Sequence, residues 1–124
     1  MRRNGTKNKV MLIGNLTKDP ETTTTSSGVN VCKFSLAVAR KFLNSEGEKE
    51  VDYINIIAWR ALAENCAKYL TKGSKCCVIG RMQTRSYDAQ DGSRRYITEV
   101  IADEVEFLAT KKIDENAENE NIPF

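Results

Sequence analysis

Two stretches of alternating residues hold the side chains in this chain best suited to binding chemistry. In the first, Tyr53, Asn55, Ile57 and Trp59 share one parity, and Ile54, Ile56 and Ala58 share the other. In the second, Cys76, Val78, Gly80, Met82 and Thr84 share one parity, and Cys77, Ile79, Arg81, Gln83, Arg85 and Tyr87 share the other. Successive side chains of a strand point to opposite faces. Each stretch therefore predicts a strand with a small, apolar, core-like face and an outer face that mixes large rings with polar and cationic groups.

Such a face does non-covalent chemistry. A nucleobase has an apolar π-face and hydrogen-bonding edges. Stacked on Trp or Tyr it leaves water without having its edges read, which is worth roughly 1–3 kcal/mol per base. Arginines beside the rings neutralise the phosphates between bases, and each neutralised phosphate on a single strand releases about 0.7 counterions. Stacking needs unpaired bases, so the pattern favours single strands over duplex. Arg40, Lys41 and Phe42 add a further basic and aromatic group, and Arg94 and Arg95 a second basic pair. One outward aromatic is equally at home as a sheet neighbour or a subunit contact. Two elements with the same split, in a basic body, point to nucleic acid.

The charge is divided along the chain. All 19 Lys and Arg residues precede Ile113, while four of the 17 acids, Asp114, Glu115, Glu118 and Glu120, follow it. The body carries +6 and the tail −4. A basic body attracts polyanions, and an acidic tail attracts basic sites. The last residues are Ile122, Pro123 and Phe124, so the acidic stretch finishes in an apolar tripeptide.

Catalysis has little to work with. There is no histidine, no paired-carboxylate motif and no phosphate loop, so no catalytic residue and no cofactor is expected. Asp52, Asp88 and Glu99 read as solvated or paired surface charges. Cys32, Cys66, Cys76 and Cys77 lack the C-x-x-C spacing of a zinc site and read as reduced, mostly buried thiols, with no metal bound. No run approaches the roughly 18 apolar residues of a membrane span, and the N-terminus lacks the apolar segment of a signal peptide. The expected compartment is the cytoplasm.

A single domain of 124 residues fits these features. Strands are expected at Val10–Leu16, Val29–Ala39, Val51–Trp59, Lys75–Tyr87 and Arg95–Leu108. A helix is expected at Arg60–Leu70, where Leu62, Cys66, Tyr69 and Leu70 fall at helical spacing and Gly73 marks the stop. The segment Thr22–Gly28 reads as a loop or a poorly specified strand edge. Asn44–Glu50 and Asp91-Gly92 read as hairpin tips. Residues 110–124 lose periodicity and read as a disordered acidic tail behind a domain at 1–109. Three strands, one helix and two strands predict an all-β fold, a five-stranded Greek-key barrel of the oligonucleotide-binding type (OB-fold), with the helix between strands three and four plugging one end.

Read in order, N-K-V-M-L-I-G-N-L at 8–16, Asp19-Pro20-Glu21, F-S-L-A-V-A at 34–39 and Y-I-N-I-I-A-W at 53–59 form one pattern. L-A-E-N-C-A-K-Y-L-T-K-G-S-K at 62–75, G-R-M-Q-T-R-S-Y at 80–87, D-G-S-R-R-Y at 91–96 and T-E-V-I-A at 98–102 complete it. Over about residues 8–108 and the last few, the chain resembles the bacterial and phage single-stranded DNA-binding proteins.

The resemblance implies a homotetramer that wraps single-stranded DNA during replication, recombination and repair, close to the nucleoid. It implies stacking by Phe42, Tyr53, Trp59 and Tyr87, with Arg85 against DNA. Asn55 and Ala61 stand where some members carry a base. It implies that Ile122, Pro123 and Phe124 dock on genome-maintenance proteins, with Asp114 and Glu115 on a basic rim. Arg81, Arg40, Lys41 and Arg95 complete the candidate DNA-binding set. Met11 and Ile13 mark the first strand as a pairing edge for a second copy. Two rival readings stay open: an RNA-binding barrel of the same shape, and an interaction protein whose aromatic face lies between subunits.

Overall fold

The computed structural model describes residues 6–109. The tail residues Asp114, Glu115, Ile122, Pro123 and Phe124 lie outside the described residues, as does most of the basic N-terminal segment. The elements run β1 (Val10–Leu16), β2 (Glu21–Thr24), β3 (Asn30–Leu43), β4 (Lys49–Trp59), α1 (Arg60–Tyr69), β5 (Lys75–Asp88) and β6 (Arg94–Ala109). The sheet order is β1-β5-β6-β4-β3-β2, and an additional β1–β3 pairing closes it. The five long strands form the expected barrel, with α1 between the third and fourth of them.

Closure depends on two glycines. β1 meets β3 only at Asn15 opposite Ala37 and Leu16 opposite Leu36. A Cβ on the neighbouring Gly14 would collide with the Ala37 carbonyl, and one on Gly80 with the Ile101 carbonyl. Gly80 also sits at the register shift between β5 and β6. At both corners backbones approach too closely for a side chain.

The interior follows from alternation. Cys32, Phe34 and Leu36 of β3, Ile56 and Ala58 of β4, Cys76 and Val78 of β5 and Val100 of β6 are buried in one cluster. α1 adds Ala63 and Cys66, and Leu70 follows it into the core. Burial pushes the Cys66 and Cys76 thiols up to about 12 and Cys32 up to about 11, so these thiols stay neutral. The turn after α1 is tied to β1: Gly73 N donates to the Leu16 carbonyl, and Asn15 Nδ2 donates to the Gly73 carbonyl at 3.1 Å.

Three hairpin tips share one design. Gly28, Gly47 and Gly92 have φ of 87°, 79° and 86°. In each tip the glycine N–H donates three residues back, to Thr25, Asn44 and Ala89, and that same residue's N–H donates to the carbonyl one position after the glycine. These are three-residue loops with glycine in the left-handed position. The first of them decides between the two readings of Thr22–Gly28, loop or strand edge: its front part belongs to the edge strand β2, paired residue for residue with β3 from Glu21 opposite Lys33 to Thr24 opposite Asn30, and the rest is the turn.

β3 also runs beyond its expected end at Ala39. Pairing with β4 shifts after Ala39 and resumes at Leu43 opposite Lys49. Arg40, Lys41 and Phe42 therefore lie on a projecting β3–β4 arm. A second arm is the far end of β5–β6, paired out to Asp88 opposite Arg94. On this arm Met82 and Thr84 correct the expectation of a core-like face: Met82 is exposed, as is Thr84, because β5 leaves the barrel after Gly80.

Candidate nucleic-acid interface

The outer face of the barrel is built around β6. Ile57 of β4 pairs with Ile101 of β6, and Ile101 pairs with Arg81 of β5. On the other side of β4, Ile57 faces Lys33, Trp59 faces Val31, and Tyr53 faces Ala37. Val31, Ile57 and Ile101 form a small buried cluster of their own. Ile57 was expected on the outer face and is there, but its two neighbours cover it. An apolar floor thus lies under the outer residues.

Around that floor the rings are exposed. Tyr53 is 69% exposed, Trp59 42% and Tyr87 45%. Tyr53 and Trp59 share the parity of β4 that faces outward, six residues apart, or about 20 Å of strand. Tyr87 lies opposite Arg95 near the end of the β5–β6 arm.

Two clefts open between these residues. One, of about 310 Å³, is lined by Trp59, Ile57, Val31, Lys33, Gln83, Arg85, Glu99 and Ile101 with Thr23 and Thr25. The other, of about 480 Å³, is lined by Thr17, Lys18, Glu21, Lys33, Ser35, Asn55, Arg85, Ile97 and Glu99 among others. Both lie within or near the about 300–1,000 Å³ typical of small-ligand clefts. Lys33, Ile57, Arg85 and Glu99 belong to both and form the wall between them. A third recess, of about 300 Å³, places Tyr53 beside Glu99 where β4 and β6 part.

The charged groups are tied down to different degrees. Arg85 Nε donates to Glu99 Oε1 at 2.8 Å, and Glu99 is almost fully buried. Arg81 lies 3.6 Å from Asp103, and Arg95 lies 3.2 Å from Asp91. Hydrogen bonds from Ser93 and then Arg95 hold the Asp91 carboxyl below its usual range. Asp88 pairs with Arg94 at 3.6 Å. Asp88 is thus a paired surface charge as expected, whereas Glu99 corrects that reading: it is paired but buried.

The candidates do not all converge. Trp59 and Arg85 share a cleft, Tyr53 lines a separate recess with Glu99, and Arg81, Tyr87 and Arg95 continue along β5 and β6. Phe42 is 77% exposed on the other arm, with Lys41 Nζ 5.9 Å from its ring. Arg40 is turned away. It is bound by Asp52 and Glu50, which alternate with Tyr53 along β4 and so lie on the opposite face of that strand. Gln83, expected on the outer face, lines a cleft, as do Lys33 and Ile97, which were not singled out from the sequence. Lys33 had a legible signal, since it alternates with the core residues Cys32 and Phe34. Tyr96, 76% exposed, was also passed over; it lies opposite Ser86 on the reverse face of the arm.

β1 presents a different surface. It pairs with β5 from Val10 to Asn15, yet with β3 only at Asn15 and Leu16. Met11 and Ile13 are 64% and 50% exposed. Among the described residues, no helix is long and apolar enough to cross a membrane.

Known proteins are similar to this sequence. Residues 7–108 match the model of the single-strand binding protein family. "Single-stranded DNA-binding protein 1" of Staphylococcus aureus strain MSSA476 is 53% identical over 112 residues, which is 90% of this chain and 72% of the relative. "Single-stranded DNA-binding protein" of Bacillus cereus is 55% identical over 101 residues, 82% of this chain and 59% of that protein. "Single-stranded DNA-binding protein 2" of Staphylococcus aureus strain COL is 53% identical over 104 residues, 84% of this chain and 75% of the relative.

Proposed function

The chain belongs to the single-strand binding protein family, and from that membership we propose that it binds single-stranded DNA without reading its sequence. The observation that supports this most is the exposure of Tyr53, Trp59 and Tyr87 on one side of the barrel, around an apolar floor and a set of basic residues. Bases stack on the rings, and Arg85, Lys33, Arg81 and Arg95 meet phosphates. Phe42 and Lys41 extend the track onto the second arm. The protein acts without catalysis: it coats DNA exposed in replication, recombination and repair and keeps it unpaired.

Copies assemble through the open edge of β1, where Met11 and Ile13 are exposed, toward a homotetramer close to the nucleoid. Residues 110–124 serve as an acidic tail. Ile122, Pro123 and Phe124 enter an apolar pocket on genome-maintenance proteins, and Asp114 and Glu115 meet its basic rim. Affinity for a dT oligomer exceeds that for duplex of equal length at low salt, and equal affinity refutes the reading. Removal of Ile122, Pro123 and Phe124 leaves DNA affinity nearly intact and abolishes partner capture; loss of DNA binding instead shows that the tail's role is misassigned. A U oligomer that outcompetes dT moves the assignment to RNA.

A further inference from the structure

Glu99 is an acid set into a face whose ligand is a polyanion. Its side chain is 5% exposed, whereas that of Arg85 is 46% exposed. The pair therefore has a buried acidic end and a wet basic end. A carboxylate so deeply buried persists only when it is paired. Its described partner is the Arg85 Nε, at 2.8 Å. A guanidinium offers five N–H donors in a rigid fork. With Nε held by Glu99, the four donors on the terminal nitrogens stand at the exposed end. Both residues line both clefts, so this fork rises from the wall between them.

We propose that Glu99 is a positioning residue, which fixes the Arg85 fork upright so that its terminal nitrogens grip the phosphate joining a base in the Trp59 cleft to one in the Asn55 cleft. The proposal rests on the single-strand reading above. A free arginine would have to give up its rotamer freedom each time DNA binds, whereas an anchored one is already in place. The sign of the effect separates this role from plain charge. Removing an acid from a DNA-binding face reduces repulsion and should tighten binding. Removing an anchor should weaken it.

The test is titration of a labelled dT oligomer at several salt concentrations with four proteins: the parent chain, Glu99→Ala, Glu99→Gln and Glu99→Asp. Glu99→Ala should bind about tenfold more weakly, the size of one charge-assisted hydrogen bond. Its slope of log affinity against log salt should be shallower by about 0.7, the loss of one phosphate contact. Glu99→Gln keeps an acceptor for Nε and should stay within about threefold of the parent, with the parent slope. Glu99→Asp draws the carboxylate back from Nε and should fall between the two. If Glu99→Ala does not fold, Glu99→Asp decides alone: parent-like affinity and slope overturn the proposal. Glu99→Ala that binds as tightly as the parent, or more tightly, also overturns it. A parent chain with no preference for dT over duplex overturns both this proposal and the reading beneath it. A parent that prefers dT, with variants of the wrong sign, overturns only the role of Glu99.

Discussion

Arg40 and Asp52 clasp each other across the β3–β4 arm, with Nη2 3.0 Å from Oδ1 and Nε within 3.3 Å of both carboxylate oxygens. Glu50 takes the remaining terminal nitrogen, Nη1. The hydrogen bond from Arg40 holds the Asp52 carboxyl below its usual range, and the same bond raises the Arg40 guanidinium above its own. A basic residue counted toward DNA binding is thus neutralised locally by two acids.

Arg40→Gln should therefore change affinity for a dT oligomer by less than about twofold, in line with the small worth of exposed ion pairs. Lys41→Gln should weaken it more and flatten the salt dependence. Fluorescence anisotropy at two salt concentrations compares them. A larger loss from Arg40→Gln than from Lys41→Gln would show that the arm turns over when DNA binds.

Acid should loosen both arms. A carboxylate whose folded pKa is depressed contributes stability above its unfolded pKa, and that contribution is lost as pH falls through the folded value. For Asp52 and Asp91 the loss should begin below about pH 4, the ordinary aspartate range, and both effects are small because the groups are exposed. Melting temperature against pH for Asp52→Asn should run parallel to the parent above about pH 5 and converge with it in acid.

The thiols should be protected. All four cysteines are free and buried, and burial raises their pKa values, to about 12 for Cys66 and Cys76. Only the thiolate reacts. At pH 8 the folded protein should leave all four unlabelled by an alkylating reagent, and denaturant should expose all four. Raised thiol pKa values also imply stability that is full below about pH 9 and declines as pH rises toward the folded values. Rapid labelling of Cys66 in the folded state would contradict the packing described.

Much of the barrel is legible before any coordinates. The parity of Tyr53 to Trp59 and of Cys32 to Val38 reads correctly because one side of those strands is buried and selects apolar residues. β2 is not legible from its own residues, since Glu21–Thr24 is exposed throughout and nothing selects its side chains. Its signal lies in Gly28, which stands in Ser-Ser-Gly as Gly47 stands in Ser-Glu-Gly and Gly92 in Gln-Asp-Gly. The direction of Arg40 is illegible because the register shifts after Ala39, so counting by twos fails there. Glu99 reads as a surface charge because its burial comes from neighbours on β4 and β5, which are distant in sequence.

The strand-to-helix corner offers a backbone test. Arg60 has φ of 60°, the left-handed region, directly after Trp59. A non-glycine residue there costs about 1–2 kcal/mol. Arg60→Gly should raise stability by up to about 1 kcal/mol, and Arg60→Val should lower it by about 1–3 kcal/mol. Urea unfolding of the three proteins measures both. A loss from Arg60→Gly would mean the arginine side chain holds the corner.

The rings should differ in role from the core. Tyr53→Ala, Trp59→Ala and Tyr87→Ala should each weaken dT binding by about 1–3 kcal/mol, roughly 5- to 150-fold, with little change in melting temperature because all three are exposed. Gly80→Ala should do the reverse. Its Cβ meets the Ile101 carbonyl, so stability should fall by about 1–3 kcal/mol or more, while the rings keep their chemistry.

Trp59 is the chain's one tryptophan, and it reports directly on whether bases stack on the outer face. Its emission should be strongly quenched when a dT oligomer saturates the protein, and should stay near its free value with duplex of equal length. Saturation by dT with unchanged Trp59 emission, or equal quenching by duplex, would contradict the account.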